Sequence, residues 1–191
     1  LYVQYAKFAI KAVQGDFGES LYYHVPVMEL IIERLPASLE LAVSAMIFAL
    51  VLAIPLGILS AVKRGSMVDM GSMFGALLGI SMPHFWLGIM MMLLFSIFLG
   101  WLPTSGRGTL AHLCMPALSL GLPLMAMFAR LTRSVMLEVL NLDYIRTARA
   151  KGLKETIVIC KHALKNAMIP LITVAGMQFS AILGGTVIIE T

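Results

Sequence analysis

Leu41 to Val62 is 22 residues without a charge. At a rise of about 1.5 Å per residue, such a run covers the roughly 30 Å hydrocarbon core of a bilayer. The pattern recurs three times. Met70 to Leu102 is a second uncharged stretch, longer than one crossing requires. Leu110 to Ala129 is a third, and Ala167 to Ile189 a fourth. Composition agrees: the 191 residues are 60% hydrophobic and 13% charged, about half the charge of a soluble domain. The expected fold is an all-α integral membrane bundle with spans at about 41–62, 70–102, 110–129 and 167–189. The chain starts at Leu1 without Met and stops at Thr191 after an apolar run, so it reads as a fragment open at both ends.

Charge sets the orientation. If Lys63, Arg64, Arg130, Arg133 and the polar segment after them lie in the cytoplasm, the four spans alternate. That side then holds ten of the fourteen Lys and Arg residues, as the positive-inside rule requires. Residues 1–35 form an extracytoplasmic N-terminal segment in this reading, and Arg107 also falls outside. Residues 36–191 are the membrane domain, incomplete at its C-terminal end. The net charge of +4 is then a topology signal, and nucleic acid is not expected as a partner. Within the first segment, Tyr2, Tyr5, Phe8 and Val13 suggest a short amphipathic helix. Gly15 to Ser20 is a turn, and Val27, Leu30, Ile31 and Leu35 mark another short helix.

The longest polar run, Asn141 to Pro170, begins within the loop 130–166. It reads as two short helices meeting at Gly152. Asn141 or Asp143 caps the first, Tyr144, Ile145 and Ala148 give it an apolar patch, and Gly152 fits the C′ position. Leu153, Ile157, Cys160 and Leu164 follow at spacings of four, three and four, one face of a second α-helix.

Asp143 to Leu153, Asp-Tyr-Ile-Arg-Thr-Ala-Arg-Ala-Lys-Gly-Leu, resembles the cytoplasmic "EAA" loop of permease subunits of binding-protein-dependent ABC importers, in the variant of the dipeptide/oligopeptide/nickel class. Arg146, Thr147, Ala148 and Gly152 occupy the pattern positions, with Arg146 where the general pattern has Glu. Gln14 to Gly18 and Arg34 to Leu41 resemble the same class. The resemblance implies a type I importer permease of six spans, four of them here. It implies import of small peptides by alternating access, with nickel or another small solute as the alternative. Implied partners are a second permease subunit, two ATP-binding subunits and an extracytoplasmic solute-binding protein, in a bacterial or archaeal plasma membrane. Asp143, Tyr144, Arg146, Thr147, Ala148, Ala150, Lys151 and Gly152 are the implied ATPase-coupling residues.

No Walker A sequence is present, so ATP and Mg belong to a partner and no cofactor is expected on this chain. Neither cysteines nor histidines show metal spacing. Gly71, Gly75 and Gly79 recur every four residues, a helix-packing pattern. Pro83 and His84 are pathway candidates, because a proline break or an ionisable residue inside a span draws attention to function. Two other classes remain open: an intramembrane enzyme using Ser81 and His84, and a non-transporting membrane scaffold.

Overall fold

A computed structural model describes residues 2–20, 22–106 and 108–185. The expectations for Arg107 and for the end of the fourth span at residues 186–189 lie outside them. The described residues are helical, apart from turns and a single antiparallel bridge between Glu19 and Pro26. The chain divides into two compact units, Leu1–Glu40 and Leu41–Thr191.

In the first unit, α1 (Tyr2–Val13) ends in a turn where the Asp16 carboxylate accepts the Gly18 amide at 2.9 Å and meets Lys11 at 3.3 Å. Those two contacts, the amide first, hold the Asp16 carboxyl below its ordinary range. Arg34 donates to the Tyr23 hydroxyl at 3.3 Å and lies 5.4 Å above its ring.

The expected short helix around Val27 to Leu35 and the first span are one element. Helix α2, Val27–Val62, runs 36 residues, about 54 Å. Pro36 and Pro55 lie inside it without ending it, each denying the carbonyl four residues back its intrahelical bond. Ser66 then caps α3 (Met67–Ser81), its Oγ accepting the Asp69 amide at 3.3 Å, and Gly65 supplies φ +77° in the turn before it. The cap is legible as Ser-x-x-Asp.

The long second stretch is not one rod. Helix α3 stops at Ser81, Met82 and Pro83 are extended, and α4 (His84–Phe98) leaves at 99°. Proline fixes its own φ and pushes the preceding residue out of the α region. Helix α4 is α-helical over His84–Met91 and π-helical over Met92–Phe98.

Helix α5, Leu110–Leu140, is the hub. It packs on α3, on α4 and on the last long helix. The sequence reading ended this span at Ala129, where Arg130 begins the charges. The helix continues eleven residues further, since Phe128, Met136 and Val139, with Thr132 between them, keep one stripe buried. After α6 (Asp143–Ala150), helix α7 is built of Glu155–Ile157, a π turn at Val158–Ala163, and Leu164–Gly185. The fourth span is therefore rooted inside the segment read as loop.

One cluster holds the middle of the bundle: Ala42, Ala45, Ala49 and Ala53 of α2, Leu120, Leu124 and Phe128 of α5, and Leu171 and Ile182 of α7. The alanines recur at spacings of three, four and four. They allow close helix approach where lipid gives no hydrophobic drive to association. Gln178 of α7 and Met127 Sδ of α5, 3.4 Å apart, add a polar contact.

Candidate functional site

Helix α6 has eight residues, too few to hold itself in water. A second buried cluster supplies what it lacks. Ile145 and Ala148 sit on Ala61 of α2, Met136 and Val139 of α5, and Val158, Ala163 and Ala167 of α7. Ile145 is fully buried, as are Val158, Ala163 and Ala167. The inner face of α6 thus belongs to its own chain.

The N-terminal end of α6 differs from the sequence expectation, and the C-terminal end agrees with it. Neither Asn141 nor Asp143 caps it. Leu142 occupies the N-cap without a side-chain bond, Asp143 is already helical, and Asn141 closes α5 by donating to the Leu137 carbonyl at 2.8 Å. The Asp143 carboxylate still complements the helix dipole from the first turn. At the other end, the Gly152 amide donates to Arg149 O at 2.9 Å and the Leu153 amide to Ala148 O at 3.4 Å, with Gly152 at φ +77°. That is the paired-bond Schellman geometry. Arg149 then forks onto Glu155 across the reversal, at 3.1 and 2.6 Å. The Glu155 carboxylate pushes the Arg149 guanidinium above its ordinary value.

The face expected for the second helix is not the buried one. Leu153, Ile157 and Cys160 are exposed and only Leu164 is half-buried against the cluster, while Val158, Ala163 and Ala167 are buried. The reason is the π turn. It carries one extra residue, so an α-helical period counted across it selects the wrong side.

Tyr144 joins α6 to α7. Its hydroxyl accepts Asn166 Nδ2 at 2.6 Å and lies 3.4 Å from the His162 carbonyl. Asn166 is one residue the sequence reading passed over, and Asp69 is another. Asp69 is a single polar side chain between apolar neighbours, which is the available signal; Asn166 follows Lys165 inside the polar run and carries none. Asp143, Arg146, Thr147, Ala150 and Lys151 are exposed. Asp143 and Arg146 meet at 3.5 Å, a surface pair of small energetic weight. The outer face of α6 is therefore polar, cationic and bare, over a seated inner face. Ala148, one of the coupling residues the resemblance implies, lies on the seated side.

The other candidates are not brought to this surface. An added Cβ on Gly71 or Gly75 would meet nothing within 4 Å, whereas one on Gly79 would come to 2.9 Å from Ala126 Cβ. The glycine pattern thus divides into one contact with α5 and two open positions. Pro83 forms the break before α4, and His84 is the first residue of α4 and exposed. Ser81 donates to Leu77 O at 2.8 Å. The extended Met82 and Pro83 separate Ser81 from His84, so the helical spacing proposed to unite them does not exist. Among the described residues, no three His, Cys, Asp or Glu side chains gather as a metal site. We expect His84→Gln to retain at least half of wild-type transport at equal membrane level; a total loss would identify His84 as essential.

A family model described as "binding-protein-dependent transport system inner membrane component" matches residues 53–191. The oligopeptide transport system permease protein AppB of Bacillus subtilis (strain 168) is 46% identical over 200 residues, covering 99% of this chain and 63% of its own length. The glutathione transport system permease protein GsiC of Escherichia coli (strain K12) is 44% identical over 190 residues, covering 100% of this chain and 62% of its own length. The chain thus spans less than two thirds of these relatives. Among solved structures, a chain of the MetNI methionine ABC transporter in inward facing conformations aligns with a TM-score of 0.63 at 20% identity, over 84% of this chain and 73% of that one. This last likeness bears on the fold alone.

Proposed function

The chain belongs to the family of binding-protein-dependent transport system inner membrane components, and from that premise we propose that it forms part of the membrane pathway of an ATP-driven importer of small peptides. The observation that carries the mechanism is the two-sided α6, seated on α2, α5 and α7 within its own chain and bare on the other face. A short helix in that position passes a push on its outer face to three long helices at once. ATP and Mg act on a partner subunit, and this chain carries out no covalent step. Closure of the ATP-binding pair displaces α6, the long helices follow, and the pathway opens outward to receive solute from a binding protein. A second permease subunit completes the pathway.

The peptide assignment is supported by the relatives' names, one for oligopeptides and one for glutathione, itself a tripeptide. The membrane domain is placed at 36–191 with residues 1–35 outside. The cytoplasmic face carries Lys63, Arg64, Arg130, Arg133 and residues up to 166. The glycines of α3 are assigned to helix packing, Gly79 against α5 and Gly71 and Gly75 on an open face.

The test reverses charge on the outer face of α6 in the full-length protein, with Arg146→Glu and Lys151→Glu combined. Membrane level should be unchanged, since neither side chain is buried. Co-purification of the ATP-binding subunit and uptake of a labelled tripeptide should both fall at least tenfold. Wild-type co-purification and uptake would remove α6 as the contact. Nickel uptake without tripeptide uptake in the unmodified protein would replace the substrate class.

A further inference from the structure

Asp69 is the single acidic residue between Glu40 and Glu138. It is 4% exposed, and nothing in the transport reading above uses it. Its carboxylate gathers three elements. Ser60 Oγ of α2 donates to Oδ1, and the Gly65 amide of the following turn donates to Oδ2 at 2.9 Å. From α5, Arg133 forks onto both oxygens, Nε to Oδ1 at 2.5 Å and Nη2 to Oδ2 at 2.8 Å. A two-pronged guanidinium contact fixes orientation as well as distance, which apolar packing alone does not.

The position of this knot gives it meaning. Ser60 immediately precedes Ala61, and Arg133 lies about one turn before Met136. Ala61 and Met136, with Val139, are the floor on which Ile145 and Ala148 rest. The knot around Asp69 therefore adjoins the seat of α6 on two of the three helices that build it, α2 and α5.

We propose that Asp69 and Arg133 are a positioning pair: they lock α2, α3 and α5 in register beneath α6, so that displacement of α6 moves the three helices as a unit. Without the lock, the floor slides and the displacement is absorbed there. The inference rests on the reading of α6 as the coupling helix.

The assay is the complete importer in liposomes, reporting labelled tripeptide moved per ATP hydrolysed. Arg133→Lys keeps the charge and loses the fork. It should reach the membrane and co-purify with the ATP-binding subunit within twofold of wild type, while peptide moved per ATP falls at least fivefold. Asp69→Asn alone leaves Arg133 unpartnered and is expected to lower the thermal midpoint, which a purely structural role would also do. The neutral pair Asp69→Asn with Arg133→Gln separates the two roles. Its midpoint should recover toward wild type, as expected when the buried carboxylate and the charge that pairs it are removed together, while the transport ratio stays at least fivefold down. A wild-type ratio in Arg133→Lys or in the neutral pair overturns the proposal. So does a loss of uptake that only follows membrane level. If the Arg146→Glu and Lys151→Glu protein is uncoupled while Arg133→Lys is not, the positioning pair fails and the reading of α6 stands. If the α6 variant transports normally, the reading of α6 has failed and this inference with it.

Discussion

Gly57→Val is expected to prevent α2 and α5 from packing. A Cβ at Gly57 would stand 2.5 Å from Thr132 Cβ, 2.8 Å from Thr132 Cγ2 and 2.7 Å from the Ala129 carbonyl oxygen. One obstacle is backbone and another is a β-carbon fixed to it, so no rotamer clears the space. Forcing extra carbons into a filled site typically costs about 1–3 kcal/mol through shifts of the surroundings. Valine brings three carbons where the first does not fit, so the upper end applies. Gly57→Ala should lower the midpoint of thermal unfolding in detergent by several degrees. Gly57→Val should abolish the cooperative transition and leave the chain open to protease. An unchanged midpoint in Gly57→Val would show that the helices do not approach this closely. Gly75→Ala is the internal comparison, since its Cβ would meet nothing within 4 Å, and its midpoint should not fall.

Ala148→Glu is expected to have the second large effect, through this chain's own packing. Ala148 is 6% exposed, against Val158, Ala163 and Met136. A carboxylate there is either desolvated without a partner, at a cost of several kcal/mol, or drives α6 off its seat. Eight residues do not stay helical without that seat. Hydrogen exchange over residues 143–150 should accelerate at least tenfold, and binding of the ATP-binding subunit should be lost with it. The long helices α2, α5 and α7 are unaltered in sequence, so membrane insertion should persist. Normal protection of 143–150 would show that Ala148 is not the inner face. Loss of binding with normal protection would instead place Ala148 at the partner contact.

These two outcomes mark what was legible in the sequence and what was not. Uncharged runs gave the long helices, because bilayer thickness sets a length that composition reveals directly. Gly152 gave the reversal after α6, because a C′ position at φ +77° favours a residue without Cβ. The side on which Ala148 is buried was not legible. Tyr144, Ile145 and Ala148 form one apolar patch in either case, and only the positions of Met136 and Val139, from a helix extended past Arg130, decide what covers it. The closeness at Gly57 was hidden for the same reason: its neighbour Thr132 is 75 positions away. Asp69 was visible as an isolated acid, yet its partner Arg133 read as one more topology signal. The bend after Ser81 was legible as one of several outcomes for a long stretch containing Pro83.

The π turn at Val158–Ala163 has a consequence for how α7 meets two surfaces at once. Val158 and Ala163 both face the seat of α6, five positions apart. On a regular α-helix, five positions separate two side chains by about 140° around the axis. Ala167 and Leu171 continue the buried line at intervals of four, the last of them into the middle of the bundle. The wide turn therefore acts as a phase adjuster. It lets the foot of the helix follow α6 while the shaft follows α5, although no single straight stripe could serve both. Removing one residue from within Val158–Ala163 would return the turn to α-helical pitch, four positions then spanning what five span now, and leave foot and shaft in phase. A residue removed from the regular shaft instead would swing everything before it by about 100° relative to everything after it.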